Sequence, residues 1–403
     1  MTDLDLMLIN PNSRVAIYQG LGENLTAVEP PLWCRLIAGY AQDQGFSVQI
    51  IDAEALELQA TEVAAMVISA KPRLVAMVVF GHQPSASTQQ MVGLKDCCSQ
   101  LKSGALKAPI IAVGGHVAAL PERTLEEEEV DFVCNGEGPI TICQILRQLS
   151  NDDEVILEEV EGLVWRREGK IVSNPAPPLI KNVDAELHGN VWGLLPMDKY
   201  RAHNWQCFDD ISDRQPYASI YTSLGCPYKC TFCCINAPFG TNRYRMRNPA
   251  SVVGEVKFLH DTYGVKTFKI IDEMFVLNEK HVTEICDGLI SEKLDINIWA
   301  YARVDTVKKH MLRKLRDAGV KWLALGIESG SSHVRDGADK SFQQEDIFRV
   351  VHEIQAADIN VIGNYIFGLP DDDLYSMRDT LEMAKALNCE FANFYSAMAY
   401  PGS

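Results

Sequence analysis

The chain has 403 residues, with 37 Lys and Arg against 54 Asp and Glu, a formal charge of −17. The length suits two or three domains, and 47% hydrophobic with 23% charged residues describes a globular protein. The negative balance excludes nucleic acid as an expected partner. No apolar stretch reaches the roughly 18 residues that span a bilayer, and the opening MTDLDLMLIN is acidic and then strand-like, which no signal peptide is. Twelve cysteines without such a signal place the chain in a reducing cytoplasm, its thiols kept for metal or for packing.

Residues 1–150 alternate apolar runs with amphipathic stretches. Strands are expected at 4–10, 47–52, 74–80, 110–115 and 130–136, with helices between them, for example at 32–44 and 87–101. Near-continuous apolar strands separated by helices indicate a parallel sheet covered on both faces. Five such units make a doubly wound, flavodoxin-like or Rossmann-like α/β domain, whose ligands sit beyond the carboxyl ends of the strands. The loops at those ends carry Asn10, then Gly81, His82 and Ser85, then Gly114, Gly115 and His116, then Gly136, Glu137 and Gly138. Residues 126–129 are an acidic run, read as a solvated helix end.

Residues 151–215 differ in texture. A hairpin is expected over 160–172, turning at Glu168-Gly169, followed by the proline-rich run 174–178. This stretch reads as a packed linker, with Trp192, Tyr200 and Trp205 covering a domain interface.

From 216 to 403 the alternation resumes. Strands are expected at 218–224, 267–272, 297–303, 322–327, 360–367 and 391–397, and helices at 249–262, 279–292, 306–318, 343–357 and 374–387. After the first of these strands comes Cys226-Pro-Tyr-Lys-Cys230-Thr-Phe-Cys233, a C-x3-C-x2-C loop. Three thiolates in such a loop suit three irons of a four-iron cluster, leaving one iron open for a ligand other than protein. A zinc site usually has two C-x2-C-like halves, and no second half is present. Cys234, directly after the three, offers a shifted register. The other cysteines read as small buried hydrophobes.

The loop resembles the C-x3-C-x-aromatic-C signature of the radical S-adenosylmethionine (radical SAM) enzymes, with Phe232 as the aromatic. The resemblance implies a partial (β/α)6, TIM-like barrel with its site at the carboxyl ends of the strands. It implies a [4Fe-4S] cluster on the three cysteines, SAM chelating the open iron, and reductive cleavage of SAM to a 5′-deoxyadenosyl radical. By the same resemblance Asp272 or, preferably, Glu273 receives the SAM amino group, Arg303 its carboxylate, Glu328 and Ser329 of the GIESG run the ribose or ammonium, and Gly363 the adenine. Tyr301, Tyr365, Tyr395 and Tyr400 are read as packing residues with a radical-proximal role as the alternative.

The order PPL…AGY…GF…IIDA, then VGGHVAALPE, then VDFVCNGEG resembles the cobalamin-binding domain that precedes the radical core in one branch of these enzymes. Asn10, Gly81, His82, Ser85, Gly114, Gly115, His116, Gly136, Glu137 and Gly138 are then expected to contact cobalamin. The cobalt-ligating D-x-H-x-x-G run is absent, as is common in that branch, and His82 and His116 are read as contacts, not cobalt ligands. The combination implies a cobalamin-dependent radical SAM methyltransferase acting on an unactivated carbon of a small-molecule, lipid or natural-product substrate. Its partner is an external one-electron reductant of the flavodoxin or ferredoxin type. The alternatives are a non-methylating radical enzyme (cyclisation, ring contraction or rearrangement) and a non-catalytic sensor. The resemblance also implies a sixth helix and a C-terminal region beyond Ser403, so the chain is expected to be truncated.

Overall fold

The computed structural model describes residues 4–22, 25–83, 85–150 and 155–403. Pro84, in the expected loop after the third strand, and residues 151–154, at the start of the expected linker, lie outside them. The chain divides into two compact units: Met1–His203 with Cys234–Thr241 and Tyr400–Gly402, and Asn204–Cys233 with Asn242–Ala399 and Ser403.

The first unit is built on β1 (Leu6–Asn10), β2 (Val48–Asp52), β3 (Leu74–Val78), β4 (Ile110–Val113), β5 (Phe132–Cys134), β6 (Leu163–Arg167) and β7 (Lys170–Ser173). Among the described residues these form one sheet in the order β2-β1-β3-β4-β5-β6-β7. The first five strands are parallel, in the flavodoxin-like order. β1, β3 and β4 are buried along their whole length, which explains their unbroken apolar sequence: both faces carry helices. One face packs Met7, Ile9, Val75 and Met77 with Val63, Val67, Leu94 and Leu101 of the helices Ala60–Ala70 and Ala86–Ser103.

The hairpin turns as expected, with Glu168 and Gly169 at φ 49° and 79°, the left-handed pair that a two-residue hairpin needs. It is not part of a separate linker. β6 pairs antiparallel with β5 and β7 with β6, because Leu163, Val164 and Trp165 are apolar enough to be buried against the sheet. Trp192 and Tyr200, expected at an interface, pack inside the first unit. The Trp192 ring lies under the Arg35 guanidinium at 3.6 Å, and the Tyr200 hydroxyl donates to Asp52.

The second unit is built on β8 (Tyr217–Ile220), β9 (Ser223–Leu224), β10 (Arg245–Met246), β11 (Thr267–Ile270), β12 (Asn297–Ala302), β13 (Val320–Glu328), β14 (Asn360–Phe367) and β15 (Phe391–Ser396). Among the described residues the main sheet runs β8-β11-β12-β13-β14-β15, every pairing parallel. Each strand lies beside the next in sequence, and each gap after β11 holds a helix: Glu279–Glu292, Lys309–Asp317, Gln344–Ala356 and Leu374–Leu387. A short helix, Ser332–Gly337, was not anticipated. One face of the sheet is filled by Trp205, which meets Trp299 and Trp322 edge-on at 5.4 and 5.2 Å. Trp205 is therefore a core residue of this unit. β15 is an edge strand with Phe394 and Tyr395 substantially exposed. No helix among the described residues is long and apolar enough to cross a membrane.

Candidate functional site

The second unit places its expected site residues, Gly363 within β14 apart, at the carboxyl ends of β8 and β11–β13. Past β8, Thr222 and Ser223 are fixed by Asp272, which follows β11. The buried Asp272 carboxylate accepts from Thr222 N and Oγ1 and from Ser223 Oγ, each at 2.6 Å. Both its oxygens are thus engaged in joining two strand ends, and burial raises its pKa against those bonds. Asp272 anchors the loop, and the helix that follows is capped by Asn278. Glu273, beside it, has a buried Oε2 with no hydrogen-bond partner, and burial with the Asp272 charge pushes its carboxyl up to about 8. A buried acceptor without a donor is costly, and an ammonium would satisfy it.

The cysteine loop starts at Gly225. Cys226 is buried, and Cys230 and Cys233 are half-buried. Among the described residues no three His, Cys, Asp or Glu side chains are drawn together as a metal-holding group. The donor set nevertheless fits a cluster in its chemistry. Three thiols lie in one short loop, and a guanidinium N–H of Arg303 is directed at Cys230 Sγ at 3.7 Å. Segment 338–342 braces the same loop: Thr231 N donates to the Ala338 carbonyl at 3.3 Å, and Phe232 packs with Val334, Ala338 and Leu369.

Arg303, past β12, is 5% exposed, and its Nε and Nη2 hold Asp305 at 2.9 and 3.1 Å. Glu328 ends β13 at φ 65°, a region glutamate rarely adopts, and is ion-paired with the buried Lys340. Lys340 also lies 6.0 Å from the Phe232 ring centroid. Ser329 turns away from these groups: its hydroxyl meets Thr380 Oγ1 at 3.1 Å and accepts from Ser331 N, so it fastens the turn to the helix Leu374–Leu387. Gly363 has a packing role, since a Cβ there would lie 2.8 Å from the Tyr365 hydroxyl, and Tyr365 is fully buried. Sequence reasoning missed Lys340, Asp305 and Tyr228, whose ring lies 3.9 Å from the Arg303 guanidinium carbon. Asp305, two residues beyond Arg303, carried the one available signal.

In the first unit, Asn10 ends β1 and donates to Asp52 Oδ1 at 2.8 Å, while Gln90 donates to Asn10. Asn10 and Asp52 are both buried. Gly81 follows β3 at φ 74° with Ala86 only 2.5 Å from where its Cβ would stand. A Cβ on Gly114 would collide with the Val79 carbonyl oxygen, so the ends of β3 and β4 approach through a glycine. Ser87 clasps the two loops, donating to Val79 O and accepting from His116 N. Gly115 lies 3.5 Å from Ser87, measured from its Cβ position. The His116 ring meets Thr88 Oγ1 at 3.1 Å, and burial lowers its pKa. His82 Nδ1 lies 4.0 Å from the buried Glu29 carboxylate. Ser85 stands before the helix Ala86–Ser103 without a side-chain cap bond. Gly136 and Gly138 flank the buried Glu137, which accepts from Ile180 N at 3.4 Å and lines a small cavity with Pro177 and Phe239. Asn10, the 81–85 loop, the 114–116 turn and the 136–138 turn all follow carboxyl ends of parallel strands. That is the edge of a doubly wound sheet at which ligands bind. Asp52, Ser87 and Gln90 were not anticipated; the IIDA run holds Asp52, and nothing in the spacing marked the other two.

A B12 binding domain family matches residues 18–146, and the radical SAM superfamily matches residues 220–384. The chain joins a B12-binding domain to a radical SAM domain, the pairing of the cobalamin-dependent radical SAM enzymes. It is 29% identical over 404 residues to an uncharacterized methyltransferase of Pyrococcus horikoshii, covering 100% of this chain and 82% of that one. It is 28% identical over 327 residues to the anaerobic magnesium-protoporphyrin IX monomethyl ester cyclase of Synechocystis sp., covering 79% of this chain and 61% of the cyclase. Its fold matches that of the radical SAM methyltransferase TsrM of Kitasatospora setae, a structure with cobalamin and a [4Fe-4S] cluster bound. That match has a TM-score of 0.76 at 18% identity, over 98% of this chain and 72% of TsrM. B12-binding and radical SAM domains share one chain, with cobalamin, SAM and a [4Fe-4S] cluster as the cofactors of the family.

Proposed function

We propose that this enzyme is a methyltransferase that moves a methyl group to an unactivated carbon of a small-molecule substrate, with electrons from a flavodoxin- or ferredoxin-type donor in the cytoplasm and no nucleic-acid partner. The observation that carries the proposal is the three-thiol loop with the unsatisfied Glu273 carboxylate oxygen beside it, on a chain that also has a B12-binding domain. When bound, the cluster and SAM supply a carbon-centred radical and cobalamin supplies the methyl group.

The chain's own residues bind and orient. Cys226, Cys230 and Cys233 would hold the cluster. Glu273 Oε2 would accept from the SAM ammonium, and Lys340 holds Glu328 in place beside the loop. Phe232 fixes the cysteine loop to the core, and Asp272 keeps the two strand ends in register with it. In the first domain, the turns at Gly81, Gly114 and Gly138 would let the backbone approach a corrin ring, with His82 and His116 at its edge.

The 28% likeness to a protein named as a cyclase favours a second reading, radical chemistry without methyl gain. Anaerobic reconstitution with iron, sulfide, hydroxocobalamin, SAM and a reductant separates the two. Methyl transfer yields both S-adenosylhomocysteine and 5′-deoxyadenosine and a product heavier by one CH2. 5′-Deoxyadenosine without the mass gain sinks the methyltransferase reading and supports the second.

A further inference from the structure

Three contacts fix the Arg303 guanidinium. The Asp305 carboxylate takes Nε and Nη2, which sets the rotation of the fork. The Tyr228 ring lies 3.9 Å from the guanidinium carbon, which sets its plane. Nη1 then points at Cys230 Sγ at 3.7 Å. The side chain is 6% exposed, so its charge is weakly screened by salt.

We propose that Arg303 is a positioning residue for electron entry: held by Asp305 and Tyr228, it donates an N–H to the Cys230 sulfur and eases one-electron reduction of the cluster that sulfur would hold. This rests on the proposed site and adds to Arg303 a role besides holding a SAM carboxylate. Reduction adds one negative charge to the cluster, delivered by an external one-electron donor that is oxidised in turn. No bond at Arg303 forms or breaks, and no proton moves. A cation and an N–H at a ligating sulfur favour the more negative state, and such contacts set iron–sulfur potentials. Asp305 offsets part of the charge, but its two-point grip directs the N–H at the sulfur.

The test is an EPR-monitored redox titration of the whole chain, reconstituted anaerobically with iron and sulfide and without SAM or substrate. In Arg303→Gln the equilibrium constant for reduction is expected to fall on the order of tenfold, which is about 59 mV more negative for a one-electron couple. Arg303→Lys keeps the charge but loses the fork, and is expected to shift the same way by less. If Arg303→Gln assembles no cluster, the shift in Arg303→Lys decides. An unchanged midpoint in the loaded variant overturns this inference alone. A wild-type chain that assembles no four-iron cluster overturns the site reading as well.

Discussion

At Gly114 the Val79 carbonyl oxygen stands where any Cβ would go, and Ser87 bridges the same two strand ends. Gly114→Ala must separate β3 from β4 at their carboxyl ends. Overpacking of this kind costs about 3 kcal/mol, so the urea midpoint should fall. Cobalamin retained after gel filtration should fall with it, because the turn proposed to face the corrin moves. Gly114 was legible from its sequence, a paired glycine after an apolar run. Its reason was not, because the carbonyl it makes room for is 35 residues away and belongs to another strand. The same limit separates Glu273 from Asp272. Both are acids at one strand end, and only the fold gives Asp272 three donors and leaves an oxygen of Glu273 without one.

Among the elements, the pairing of β8 with β11 depends on that Asp272 anchor. Replacing it with alanine leaves Thr222 N, Thr222 Oγ1 and Ser223 Oγ without an acceptor in a buried place. The loss expected is on the order of 4 kcal/mol, read as a lower thermal midpoint. Asp272→Asn, which keeps an acceptor, should lose less. The helices Glu279–Glu292 and Leu374–Leu387 were legible to the residue, because apolar period and capping side chains agree there. Residues 306–318 were less so. The helix begins at Lys309, since Thr306 is drawn into a turn with Arg303 through its hydroxyl. The hairpin was visible as a hairpin, but its place in the sheet was not: β5 is three residues long, and nothing local says which edge will receive β6.

For the molecule as a whole, the acid groups at the carboxyl end of β2, the buried Asp52 and the half-buried Glu54, set a pH dependence. Burial, with the Asp52 charge, pushes Glu54 from its usual 4.5 up to about 8. Between those values the folded chain keeps a proton that the unfolded chain has lost. Stability from this group is therefore full below about 4.5 and lost as pH rises through 8. Glu54→Gln, always neutral, should melt above the wild type by a margin that grows across this window and then levels, as differential scanning fluorimetry of the cofactor-free protein would measure.

The strand order β8-β11-β12-β13-β14-β15 follows the chain, whereas β1 lies between β2 and β3. On a ribosome the second sheet could grow like a zipper, each new strand finding its neighbour in the one just made. The first sheet has no such convenience: β1 acquires its second flank only when β3 emerges, more than sixty residues later. Local pairing speeds folding and distant pairing slows it. The part of the chain synthesised first is thus the part that must wait, with one edge of β1 open, for its partner to be made.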